Sequence, residues 1–141
     1  MNATEFCLIQ TKIAAQSKEY LSSFYDSREV LPVQGLYDCR VKKANVFETG
    51  IADCMSVLIK FYTESLKLPE RERKLSQGEV EEVFEELKNL PVERNISSGT
   101  YDLALKIVMK SVKQIFELRN HEKVSIPKRM NRKGKEEIEN S

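Results

Sequence analysis

From Phe47 to Leu66, apolar side chains recur at steps of three and four: Phe47, Ile51, Cys54, Met55, Leu58, Tyr62 and Leu66. That spacing lays one stripe along a helix. Val57, Ile59 and Phe61 carry apolar character round its flanks, so several neighbours must enclose this helix. Nothing else in the chain limits the fold as much. A helix greasy on most sides has to be covered, and three other segments carry helical stripes that can cover it.

Residues 4–25 place Phe6, Ile9, Ile13, Tyr20 and Phe24 on one face, with Thr4 as the expected cap. The stripe helix is predicted to start at Asn45, whose spacing to Glu48 suits a capping box, and to end before Pro69. A charged link, Glu70 to Lys74, follows. Ser76 then stands three residues before Glu79, with Leu75 outside and Val80 inside. This is a capping box with a hydrophobic staple, and it opens a third helix over residues 77–88 that Pro91 closes. Val80, Val83, Phe84 and Leu87 face inward there. The fourth helix covers residues 101–119, opened by Ser97-Ser98-Gly99-Thr100 with Thr100 the favoured cap, and with Leu103, Ala104, Ile107, Val108, Val112, Ile115 and Phe116 inward. Isolated helices of this length are marginal in water, so the four stripes need one another.

The helical period fails between Asp26 and Ala44. Pro32 and Gly35 interrupt it, while Tyr37, Cys39 and Val41 alternate with Asp38, Arg40 and Lys42. A long loop is expected here, with room for a small hairpin pairing residues 30–33 with 37–41. The resulting fold class is all-α: an irregular four-helix bundle over residues 1–121, a long connection between the first two helices, and a basic tail. The tail, residues 122–141, is expected to be disordered.

A chain of 141 residues suffices for one domain without disulfides or metals. With 40% apolar and 32% charged residues it reads as soluble and globular, and 5 Gly and 4 Pro are too few to punctuate a many-stranded sandwich. Cys7, Cys39 and Cys54 are odd in number and far apart, and His121 is the sole histidine. Zinc-ligand spacing is missing, and reduced cysteines fit an intracellular protein. No secretory leader or membrane-length apolar run is evident, so Asn2-Ala3-Thr4 and Asn95-Ile96-Ser97 are read as chance sequons. A cytoplasmic location is expected, with the nucleus open to a eukaryotic or viral chain.

Candidate chemistry is sparse. Glu79/Glu82 and Glu82/Glu85 have Glu-x-x-Glu spacing, which can hold a divalent cation on a helix face. All-helical nucleotide pyrophosphohydrolases need a further Glu-x-x-Asp, but Asp102 is preceded at that spacing by Gly99. The acidic run therefore reads as a solvated face favoured by the helix dipole. Di-iron bundles need two Glu-x-x-His pairs. His121 is expected to cap the end of the fourth helix. No catalytic residue, metal ligand or cofactor is assigned, and the balance leans away from an enzyme.

Two surfaces remain. The aromatic end of the first helix and the following loop offer Tyr20, Phe24, Tyr25, Leu36 and Tyr37, which suit core packing or a protein partner, including a second copy of the chain. Seven basic residues between Arg119 and Lys135 face one acid, Glu122, whereas residues 1–118 carry 16 basic and 18 acidic. Lys128, Arg129, Arg132, Lys133 and Lys135 could contact nucleic-acid phosphates, serve as a nuclear-import patch, or merely solvate the end. The leading expectation is a non-enzymatic interaction, adaptor or regulatory protein. The alternative is a nucleic-acid-associated regulator that uses the tail. No membrane or small-molecule partner is indicated.

Overall fold

A computed structural model describes residues 1–25 and 34–125, with side chains placed at 1–23 and 40–120. Four α-helices occur among the described residues: α1 (Ala3–Tyr25), α2 (Gln34–Ser65), α3 (Gln77–Glu93) and α4 (Gly99–Ser125). A 3-10 turn, Glu70–Glu72, lies between α2 and α3. There is no strand among the described residues. The fold is an all-α four-helix bundle, as the stripes require.

Ring contacts set α1 against α2. Phe6 stacks on Tyr62 with centroids 4.6 Å apart, and Tyr20 tilts against Phe47 at 4.5 Å. The start of α1 thus meets the end of α2, and the two run antiparallel. α3 is likewise antiparallel to α2, since Ser65 bonds Glu79, Lys60 bonds Glu86 and Asp53 bonds Arg94. α4 packs on all three other helices, so it shares the central position with α2. One apolar cluster joins Ile9 and Ile13 of α1, Cys54 and Leu58 of α2, Val83 and Leu87 of α3, and Val108 and Val112 of α4.

The helix ends differ from expectation in instructive ways. α1 is capped by Asn2 and not Thr4: Asn2 Oδ1 accepts the Glu5 N–H at 2.9 Å, and Glu5 Oε1 accepts the Asn2 N–H at 2.9 Å. This reciprocal pair is a capping box. α2 starts at Gln34 rather than Asn45, so residues 34–44 are helical and the expected strand at 37–41 does not form. Residues 26–33 lie outside the described residues. At its far end α2 stops at Ser65, which leaves Leu66 beyond the helix and 47% exposed instead of in the stripe.

Pro91 does not close α3; it sits inside the last turn, and the helix continues to Glu93. The stop comes from Asn95, whose φ of 54° is left-handed. The Ile96 N–H reaches the Pro91 carbonyl at 2.9 Å and the Asn95 N–H reaches Val92 at 3.1 Å, which is a Schellman closure. α4 is capped by Ser98, not Thr100, because Ser98 Oγ accepts the Thr100 N–H at 3.2 Å. It also runs past Arg119 and His121 to Ser125. Its buried stripe includes Tyr101 and Leu105, whereas Leu103 and Ile107 are only half-buried.

Gly50 lets α4 approach α2 closely. A Cβ at Gly50 would stand 2.8 Å from the Ala104 Cβ and 3.3 Å from Tyr101 Cδ1. Neither atom can swing away freely. Gly50→Ala should therefore destabilise by about 1–3 kcal/mol, although Ala ordinarily favours a helix interior by about 1 kcal/mol. Denaturant unfolding should show this loss, and adding Ala104→Gly should recover part of it.

Candidate functional site

Two clusters of polar groups join several helices inside the bundle, apart from the smaller Gln16–Ser111 contact between α1 and α4. The first lies where the start of α1 meets the α2–α3 connection. Glu5 is fully buried. Beyond its cap bond, its carboxyl accepts the Leu75 N–H on both oxygens, at 3.0 and 3.2 Å. A buried polar group is tolerable only with such partners. The Met1 ammonium donates to Ser65 Oγ at 2.9 Å and to Glu79 Oε1 at 2.7 Å, and Ser65 Oγ donates to the other Glu79 oxygen at 3.2 Å.

The expected Ser76–Glu79 capping box is therefore half formed. Ser76 Oγ accepts the Glu79 N–H at 3.1 Å. The Glu79 side chain, however, is spent on Met1 and Ser65 rather than on the cap backbone. Leu75 and Val80 are both buried in the core cluster, consistent with the staple.

Outside this knot lies an open groove of about 630 Å³ between the end of α2 and the start of α3. Ser65 and Glu79 belong to both knot and groove. Phe61 and Leu68 give the groove apolar surface; Leu68 is 44% exposed. Glu64, Glu72, Glu82 and Glu86 add carboxylates, and Lys60 and Lys74 add two ammonium groups. Arg73 holds the connection in shape by donating to the Leu68 carbonyl at 3.0 Å and more weakly to Leu66 at 3.4 Å. The charged link is thus a folded turn and not a loose tether.

The second polar centre is Asp53. Its Oδ2 accepts the Tyr101 hydroxyl at 2.7 Å and the Arg94 Nε–H at 3.0 Å. Tyr101 is fully buried. Burial, reinforced by the hydrogen bond to Asp53 and its charge, pushes the phenol above its ordinary range. Burial, with Asp53 adding to it, pushes the neighbouring Cys54 thiol from 9.0 up to about 12. Both groups therefore stay protonated near neutrality. Tyr101 is a structural donor there, and Cys54 packs as an apolar residue.

Of the aromatic residues expected to bind a partner, Tyr20 is half-buried against Phe47. The side chains of Phe24, Tyr25, Leu36 and Tyr37 lie outside the described residues, as does that of His121. Lys128, Arg129, Arg132, Lys133 and Lys135 lie outside them altogether. Among the described residues, no group of three or more His, Cys, Asp or Glu side chains is placed to hold a metal ion. No described helix is long and apolar enough to cross a membrane. The groove was not foreseen from the sequence. Its only visible trace was the run of glutamates in α3.

Comparison with protein-family models, curated proteins and solved structures finds no match.

Glu5→Leu should orphan the Leu75 amide and remove the Glu5 half of the α1 capping box, leaving the Asn2 side-chain cap in place, and cost about 2–4 kcal/mol in denaturant unfolding. Glu5→Gln keeps one acceptor and should cost less. A Leu variant as stable as the parent would remove the knot from the account. The raised Cys54 and Tyr101 values give a pH dependence of definite sign. The unfolded chain releases both protons first, so stability should hold below about pH 9 and fall as pH rises toward 12. Alkylation followed by peptide mapping should modify exposed Cys7 and spare Cys54 in the folded protein.

Proposed function

We propose that the chain is a non-enzymatic helical interaction module that seats a protein partner in the α2–α3 groove. The observation that carries this reading is the groove itself, about 630 Å³ of open space with an exposed Leu68 and half-buried Phe61 among charged residues. An apolar anchor point surrounded by polar groups is the usual anatomy of a protein-binding patch.

Two further observations support it over an enzymatic reading. The Glu5 carboxyl is engaged by backbone amides and the Asp53 carboxyl by Tyr101 and Arg94. The buried Cys54 and Tyr101 hold their protons. Such groups position helices; they are not set up to move a proton or attack a substrate. An adaptor or regulatory role follows, with the groove as its working surface.

The test is selection of binding peptides from a random library on the immobilised chain, followed by amide chemical-shift mapping of the selected peptides. Shifts should concentrate at Phe61, Leu68 and Gly78, and Leu68→Asp should weaken binding about tenfold or more. Peptides that map elsewhere, or a library that yields none, would refute the groove as the interaction surface.

A further inference from the structure

We infer that the occupant of the α2–α3 groove is a basic segment of a protein partner, bearing two or more Lys or Arg residues beside an apolar one; this rests on the groove being the interaction surface. The groove already holds one alkylammonium of the required kind. Lys60 Nζ lies 5.8 Å from the Phe61 ring centroid and 2.9 and 3.0 Å from the two oxygens of Glu86. An aromatic face beside a carboxylate is how a protein grips a cationic side chain. The chain's own lysine thus displays the chemistry that an incoming one would meet.

Charge supplies the second argument. Five glutamates line the groove against two lysines. Glu86 is matched by Lys60, Glu64 by Lys67 and Glu79 by the Met1 ammonium. Glu72 and Glu82 have no ion pair among the described residues, and neither has Lys74, so the lining keeps a net excess of one negative charge. Glu79, Glu82 and Glu86 share one face of α3, because steps of three and four bring side chains to within about 5–6 Å of their neighbours along a helix.

The arrangement of those carboxylates selects among cations. No three of them converge on a point where a metal ion could sit among the described residues, so they fit a ligand whose positive charges are spaced along a chain. Leu68 and Phe61 give such a chain a place for its apolar side chain. Nucleic acid is disfavoured at the same surface, since its phosphates would meet carboxylates.

Fluorescence anisotropy of the full chain against three labelled synthetic peptides tests this. One alternates Lys or Arg with Leu, one replaces each basic residue by Gln, and one replaces each by Glu. The basic peptide should bind at least about tenfold more tightly than the Gln peptide, and its affinity should fall as salt rises. The exposed pair Glu72→Lys and Glu82→Lys should weaken it about tenfold while leaving the helical circular dichroism unchanged. Equal binding of the basic and Gln peptides, with Leu68→Asp abolishing both, overturns the basic occupant and leaves the groove as the interaction surface. Failure of all three peptides at the groove overturns both readings. Tight binding of the basic peptide that ignores the Glu72 and Glu82 reversals also overturns the inference, because attraction then comes from the surface at large.

Discussion

A fully buried carboxyl group sets the geometry of one end of this bundle. Glu5 cannot enter the interior unless its oxygens are occupied, and backbone amides from two distant parts of the chain occupy them. The Asn2 amide belongs to the start of α1, the Leu75 amide to the approach to α3. Satisfying one side chain therefore fixes where α1 begins relative to where α3 begins. Met1, Ser65 and Glu79 complete the arrangement from outside, tying the end of α2 into the same knot. Three helix ends converge there by polar bonding, where apolar packing alone would leave their axial positions free to slide.

At the other polar centre, shape and hydrogen bonding act together. Gly50 removes the side chain that would hold α4 away from α2, and Tyr101 fills the adjoining space while donating to Asp53. Arg94, just past the end of α3, reaches the same carboxylate. α2, the end of α3 and the start of α4 are thereby joined at one acceptor. The apolar cluster between the two centres then supplies the bulk of the stabilisation without having to specify register.

Helix number and most inward faces were legible because the 3.6-residue period is a direct consequence of burying one side. Ile9, Ile13, Phe47, Cys54, Leu58, Val80, Val83, Leu87, Val108 and Val112 were all found this way, and all are buried. Boundaries were less legible, each for a local reason. Tyr37 and Val41 are four apart as well as alternating with polar neighbours, so the short pattern at 37–41 fits a helix as easily as a strand. Gly35 falls in the first turn of a helix that starts at Gln34, and Pro32 precedes that helix in the sequence, so neither interrupts it. Pro91 lacks an amide, but one missing bond in a final turn does not outweigh the Schellman closure that Asn95 provides just beyond it. The Asn2-x-x-Glu5 spacing was visible, and it outcompetes Thr4 because Glu5 has a buried partner in Leu75. That partner is 70 residues away, and no local pattern could reveal it.

The groove was illegible for the same kind of reason, and this bears on how it works. Glu79 looked like the capping partner of Ser76 and otherwise one of several glutamates on a solvated face; the proximity of Met1 and Ser65 instead engages its carboxyl in bonds across to α1 and α2. Arg73 looked like part of a charged tether, yet its grip on the Leu66 and Leu68 carbonyls folds the connection and leaves Leu68 exposed beside the groove. Both walls are therefore held by bonds that exist without any ligand. A surface fixed in advance loses little conformational freedom when occupied, so more of each contact appears as affinity. The residues that stabilise this end of the bundle and those that shape the groove are in part the same. For that reason, substitutions at Glu79 or Ser65 mix stability with binding, while exposed Glu72, Glu82 and Leu68 can report on binding alone.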